Sequence, residues 1–310
     1  MSENSYKNLA ARLDALPNGF PPTDDGAELR LLEYLFAPEE AALAAELRLT
    51  LETPQQIAAR LGGDTKERKA MLKTMLRKGL IKAGKTEGGL GYGLLPFVVG
   101  IYEMQVGKIN AELAHLFENY YQQAFGRVLA VQPAVHRVIP VNQTIKVDLE
   151  VYPFESAAGI VDAANAWGVM DCICRTQKKL IGDPCEHPIE DTCMIFSQRP
   201  GAFDGNLVIK ALTQDEAHQT LQHAADAGLV HSVSNTQDGL YYICNCCTCS
   251  CGILRGMAEM GIANVVARSA FINQVDIDIC QGCETCIDYC QFAALAMGED
   301  FVIEVNQLRC

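Results

Sequence analysis

The chain has 310 residues, 49% of them apolar, enough for two or three domains with cores of their own. Mean hydropathy is near zero and no run of 18 apolar residues occurs, which excludes a transmembrane helix; the opening MSENSYKNLA lacks the basic-then-apolar order of a secretory signal, so cytoplasm is the expected compartment. The net charge of −13 is uneven, because residues 54–86 carry 9 basic and only 2 acidic side chains inside an otherwise acidic chain.

Residues 1–24, with Pro17, Gly19, Pro21 and Pro22, read as a partly ordered lead-in. From Ala27 to Leu49 apolar residues recur at helical spacing, and Pro38 suits the first position of a second helix. Thr53-Pro54-Gln55-Gln56 supplies an N-cap, a proline at the first helical position and a capping-box glutamine for a short helix that stops at Gly62-Gly63. Asp64 through Glu67 repeats that logic for a helix to about Lys78, burying Met71, Leu72, Met75 and Leu76 and ending at Gly79. Two β-rich runs then flank Thr86-Glu87-Gly88-Gly89, a hairpin signal. This order over residues 27–95 resembles a winged helix-turn-helix domain, which implies that the helix 65–78 is the groove-reading one. Lys66, Lys69, Lys73 and Arg77 share one of its faces, and are a candidate face for nucleic acid or for a protein partner; a solvated helix surface shows the same charges.

Residues 97–125 predict one long helix with a broken stripe of Ile101, Ile109, Leu113, Leu116 and Tyr120, either core or the seam of a homodimer. The runs Val128–Val131, Val135–Val141 and Thr144–Val151 predict a small sheet. Thr213 and Glu216 cap a helix ending at Gly228.

Fourteen cysteines dominate the chemistry. A chain of this size and apolar content needs no disulfide framework, and short regular cysteine spacings inside a cell indicate metal sites. Cys172, Cys174, Cys185 and Cys193 form one group; Cys244, Cys246, Cys247, Cys249 and Cys251 form another. Strand alternation would put Cys247, Cys249 and Cys251 on one face. The alternatives are one or two further clusters where the groups meet, a zinc site with spare thiols, or buried free cysteines. His187 is either a nitrogen ligand or a polar loop residue. Arg175, Lys178 and Lys179 either offset cluster charge or form a solvated face.

The third group is the most specific. Cys280, Cys283, Cys286 and Cys290 spell C-x2-C-x2-C-x3-C, the bacterial ferredoxin ligand run for a [4Fe–4S] cluster, with Gln291 where proline is usual. Zinc, the lesser alternative, favours paired C-x2-C units separated by a longer loop. The flanks predict a strand over 271–279, a short helix over 292–297 and a strand over 301–305. Nineteen residues separate Cys290 from Cys310, which reads as the first ligand of a second run, cut short there.

Taken with Leu95-Pro96-Phe97, Glu103, Cys172-x-Cys174-Arg175 and Cys244-Asn245-Cys246-Cys247, this run makes the chain resemble cytoplasmic proteins that join a winged-helix-like N-terminus to a 4Fe-4S dicluster ferredoxin domain. The resemblance implies one or more [4Fe–4S] clusters, a redox partner protein and a setting in anaerobic metabolism. The expected fold class is α+β, with a lead-in (1–24), a winged-helix-like domain (25–96), a linker helix with a cysteine-rich α/β region (97–270) and an incomplete ferredoxin-type segment (271–310). The expected function is electron transfer, as an accessory subunit of an oxidoreductase or its electron donor or acceptor. The alternative is a cluster-sensing DNA-binding regulator. A stand-alone enzyme is disfavoured, because no nucleotide-binding, P-loop, nucleophile-elbow or zinc-protease motif occurs.

Overall fold

The structure is a computed structural model that describes residues 2–140, 156–236, 238–262, 264–267, 273–307 and 309–310. The chain is mixed α+β and divides into two compact units, Met1–Val128 and Leu129–Cys310. Among the described residues no helix is long and apolar enough to cross a membrane.

The first unit opens with helices α1 (Ser2–Asp14), α2 (Ala27–Leu35), α3 (Pro38–Glu46), α4 (Pro54–Leu61) and α5 (Thr65–Lys78). A hairpin of β1 (Ile81–Thr86) and β2 (Gly89–Leu94), then α6 (Ala111–Tyr120) and the short α7 (Gly126–Leu129), complete it. The caps read from the sequence are in place. Thr53 and Gln56 form a capping box on α4, Asp64 accepts from the Lys66 and Glu67 amides of α5, and Gly79 closes α5 in the left-handed conformation. A Cβ on Gly79 would stand 2.8 Å from Met104, so φ of +80° and space both demand glycine there. Leu72 and Met75 are buried on α5, with Met71 and Leu76 half-buried.

Two expectations for this unit fail. The lead-in is not loose: α1 packs on α3 and α2, burying Leu9 and Leu13, and the Tyr6 hydroxyl donates to Phe36 O at 3.0 Å. Its helical apolar spacing outweighs the prolines that follow it. The long helix over 97–125 is not formed either, because Gly107 takes a left-handed φ and Asn110 caps α6 only at that point. Before it, Phe97 and Tyr102 turn inward to join Phe20, Phe117 and Tyr120 in an aromatic core, with Phe20 and Phe97 ring centroids 4.5 Å apart. Glu103 holds that turn by accepting from the Gly100 amide at 2.6 Å.

The second unit is built on a six-stranded antiparallel sheet. Its strands are β3 (His136–Val138), β4 (Ala166–Met170), β5 (Cys193–Ser197), β6 (Lys210–Leu212), β7 (Val230–Ser234) and β8 (Tyr242–Cys246), in the order β3-β7-β8-β5-β4-β6. Helices α8 (Ala157–Ala163) and α10 (Gln214–Asp226) lay Ile160, Val161, Ala217 and Leu221 on Val169, Met194, Phe196, Val233 and Ile243. Each such fully buried large side chain contributes about 1.5–3 kcal/mol. Between β4 and β5 runs α9 (Ile173–Leu180); α11 (Arg255–Met260), α12 (Thr285–Tyr289) and a hairpin of β9 (Leu295–Met297) with β10 (Ile303–Val305) follow the sheet.

Of the three runs expected to build a sheet near 128–155, only the second yields a strand, β3; Val128 lies in α7, and Thr144–Val151 falls outside the described residues. The C-terminal flanks also differ. Residues 273–279 are not a strand, and residues 292–297 end in β9 rather than forming a helix, since the helix of this segment is α12, inside the ligand run. Short apolar runs do not distinguish the two states.

His136 is buried and its Nε2 pairs with the Tyr242 hydroxyl at 2.7 Å. Burial pushes its pKa down to about 4, and burial lowers that of His231 as well. The unfolded chain therefore takes up these protons first, so stability is intact above the ordinary histidine pKa and is lost as pH falls through it towards the folded value. His136 alone is expected to remove about 2 kcal/mol between pH 7 and pH 5. Denaturant unfolding at the two pH values checks this, with His136→Gln flattening that share of the slope.

Candidate metal centre

The chemistry of the second unit gathers where α9, the end of β8 and the loops after each converge. Cys172 is the N-cap of α9, Cys174 and Arg175 lie in its first turn, and Cys185 and His187 follow in the loop to β5. Cys193 begins β5 directly opposite Cys244 of β8. β8 ends at Cys246, and the chain then turns, with the Cys251 amide donating to Cys247 O at 3.1 Å. Cys247, Cys249 and Cys251 are therefore not an alternating strand face. The turn sends them to different places.

Cys185, His187, Cys247 and Cys249 meet there, their ligand atoms all within 4.8 Å of one another. Cys185 Sγ lies 3.9 Å from Cys247 Sγ, and Cys249 Sγ 3.8 Å from His187 Nδ1. A single tetrahedral ion with sulfur bonds of about 2.3 Å holds its donors roughly 3.5–3.8 Å apart, so the group has the size of one ion's shell. Three sulfurs and one nitrogen are a donor set that zinc and iron both accept.

The electrostatics agree with that role. Burial, together with the nearby Arg175 charge, lowers the His187 pKa and keeps the imidazole in its neutral, ligating form. Burial pushes the Cys247 thiol up to about 12. Burial also opposes ionisation of Cys185, yet hydrogen bonds from Ser250, the His187 amide, Cys249 and Cys247 bring its pKa down. Cys247 sits in an apolar pocket with Ala224 and Leu229, against which Cys185 packs.

Arg175 links the two cysteine-bearing segments. Its guanidinium is 1% exposed and donates to Pro188 O at 2.9 Å and to Asn245 O at 2.6 Å. Asn245 in turn donates to Thr192 O at 2.8 Å and pairs its Oδ1 with His231 Nδ1 at 2.6 Å, locking β8 to its neighbours on both sides. Lys178 is buried too, beside Asp183 and Glu259. Neither is part of a solvated face, whereas Lys179 is exposed.

The C-terminal run is more open. Cys283 and Cys286 are exposed, and Cys280, Cys290 and Cys310 half-buried. Among the described residues no other set of three or more His, Cys, Asp or Glu donors reaches the single-ion spacing. The backbone of the run is nonetheless shaped: Gly282 has φ of +62°, and a Cβ there would meet Phe301 O at 2.5 Å. The Ala294 amide donates to Cys290 Sγ at 3.3 Å, and the Thr285 hydroxyl to Cys283 Sγ at 3.5 Å. Gln291 stitches the run to the cysteine loop. Its Oε1 accepts from the Thr248 amide at 2.7 Å, between Cys247 and Cys249, and its Nε2 donates to Gly228 O and to Cys246 O. On α5, Lys66, Lys69, Lys73 and Arg77 are all exposed.

His187 is the one member of the four-donor group that spacing alone did not select; its position two residues after Cys185 was the available signal. Compared with protein-family models, with curated proteins and with solved structures, the chain matches none.

Proposed function

We propose that this chain is an iron–sulfur electron-transfer protein, an accessory subunit of an oxidoreductase or its electron donor or acceptor. The observation that carries the reading is the Gln291 seam, which ties the residue after Cys290 to the amide between Cys247 and Cys249 and so makes two thiol-rich regions contiguous. In this reading 271–310 is a ferredoxin-type segment whose Cys280, Cys283, Cys286 and Cys290 would hold a [4Fe–4S] cluster, which supplies one-electron uptake and release. The amide of Ala294 and the hydroxyl of Thr285 already point at sulfur, and such hydrogen bonds tune a cluster's potential. The Cys185–His187–Cys247–Cys249 group would take a single divalent ion, and Arg175 would balance the thiolate charge beside it. Redox titration of anaerobically purified protein with EPR detection tests the reading. A centre reduced reversibly within the biological range of potentials is expected. Protein with no reducible centre in that range contradicts it.

A second reading, a DNA-binding regulator, is favoured by one observation: α4, the short turn, α5 and the β1–β2 hairpin follow winged-helix order, and four basic side chains stand exposed on one face of α5. It expects specific binding to a promoter fragment that weakens steeply with salt, and a further loss on Lys69→Ala or Lys73→Ala, each lowering the salt slope by about 1. Gel-shift titrations at several salt concentrations check this, and weak, sequence-blind binding alone removes the reading.

A further inference from the structure

Six cysteines of the second unit belong neither to the four-donor group nor to the C-terminal run, and they lie beside one another in order. The thiol of Cys172 lies beside those of Cys193 and Cys174, Cys174 beside Cys251, Cys251 beside Cys246, and Cys246 beside Cys244, near enough for each to act on the next. Cys244 and Cys193 are directly opposite in the β5–β8 register, where Cβ atoms lie about 4.5–5.5 Å apart, so the series closes into a ring. Cys172, Cys246 and Cys251 are buried, and the others half-buried.

We infer that this ring of six thiols is a second centre, distinct from the Cys185–His187–Cys247–Cys249 group, and that it holds a polynuclear iron–sulfide cluster. Three features argue for it. No three of these sulfurs gather within one ion's shell, whereas several irons bridged by sulfide hold their thiolates on separate metals. The donors are sulfur alone, the ligand type that iron–sulfide clusters select. The surroundings carry a buried positive charge that no carboxylate balances: Arg175 is 1% exposed and has no carboxylate partner among the described residues, whereas Arg255, also buried, pairs with Glu259 at 3.7 Å. A buried cation of that kind costs several kcal/mol unless an anion lies close, and the groups closest in charge to Arg175 are Cys172, Cys247, Cys193 and Cys246. Ligated thiols, each having released its proton to solvent, provide that anion permanently. The centre stands whether or not the C-terminal run carries electrons.

The test uses the full chain with Cys280, Cys283, Cys286 and Cys290 all replaced by serine, prepared without oxygen. These positions are exposed or half-buried, and circular dichroism verifies the fold. The variant is expected to retain iron with acid-labile sulfide and an EPR signal on reduction. Adding Cys174→Ser or Cys251→Ser should bring the sulfide to background, while adding Cys185→Ser should leave it in place. Sulfide present in the parent protein but absent from the four-serine variant would overturn the inference and leave the electron-transfer reading standing. So would zinc without sulfide in that variant, or disulfide bonds among the six cysteines.

Discussion

Replacing Cys247 with serine is expected to empty the Cys185–His187–Cys247–Cys249 group and to destabilise the second unit more than any other single change to a ligand. Cys247 is 1% exposed and packed between Ala224 and Leu229, so a serine hydroxyl would be buried without the ion that the sulfur holds. Its thiol, raised to about 12 by burial, ionises only when a cation replaces the proton; occupancy of the centre and the protonation state of Cys247 are thus one event. A structural tetrahedral ion binds with about 10–16 kcal/mol of apparent energy, and by mass action at free ion concentration c it stabilises the folded state by RT ln(1 + c/Kd), several kcal/mol when the ion is well above its Kd. Loss of one of four ligands should lower the metal content by one ion per chain and drop the thermal midpoint by more than 10 °C, on the order expected for several kcal/mol in a domain of this size. Elemental analysis with thermal melts reads both. Lys179→Ala, at an exposed position with no ligand role, is the comparison that should leave the melting of the second unit nearly unchanged.

Arg175→Leu should have the next largest effect. The leucine keeps much of the buried volume but leaves the carbonyls of Pro188 and Asn245 without donors, each about 1–3 kcal/mol when stranded in the interior. It also removes the positive charge facing Cys172, Cys247, Cys193 and Cys246. The combined loss is expected at about 3–5 kcal/mol, with weaker metal retention. Arg175→Lys should fall between, because an ammonium keeps the charge and yet does not span two carbonyls as a planar fork does. Denaturant unfolding of the metal-loaded protein checks this. A change of less than about 0.5 kcal/mol, the size of a surface substitution, would show that Arg175 holds nothing together.

The parts of the fold that were legible in the sequence are those fixed by local chemistry. Thr53 with Gln56, Asp64, Gly79, and Thr213 with Glu216 each announce a helix end through hydrogen bonds that span a few residues, and α4, α5 and α10 begin or end where those signals stand. The hairpin turn at Glu87-Gly88 was legible for the same reason. What was illegible depends on partners far along the chain. No spacing reveals that Cys193 lies opposite Cys244, or that the chain turns after Cys246 and so parts Cys247 and Cys249 from Cys251. Arg175 looked like one of three basic residues on a helix, and only the approach of Asn245, seventy residues on, makes it interior. Leu95-Pro96-Phe97 and Glu103 carried no decipherable chemistry because their work is packing: Phe97 fills the aromatic core, and Glu103 ties down the Gly100 turn. In the lead-in, the buried stripe of Tyr6, Leu9 and Leu13 outweighs the breaking signals of Pro17, Pro21 and Pro22 that follow it.

Iron and acid-labile sulfide, counted on the intact chain purified without oxygen and read beside its absorbance near 400 nm, bear most directly on whether these thiols grip inorganic clusters. Several irons per chain, sulfide in comparable amount and a brown chromophore that bleaches on reduction are the predicted result. A colourless protein carrying zinc alone, or no metal, would contradict the electron-transfer account.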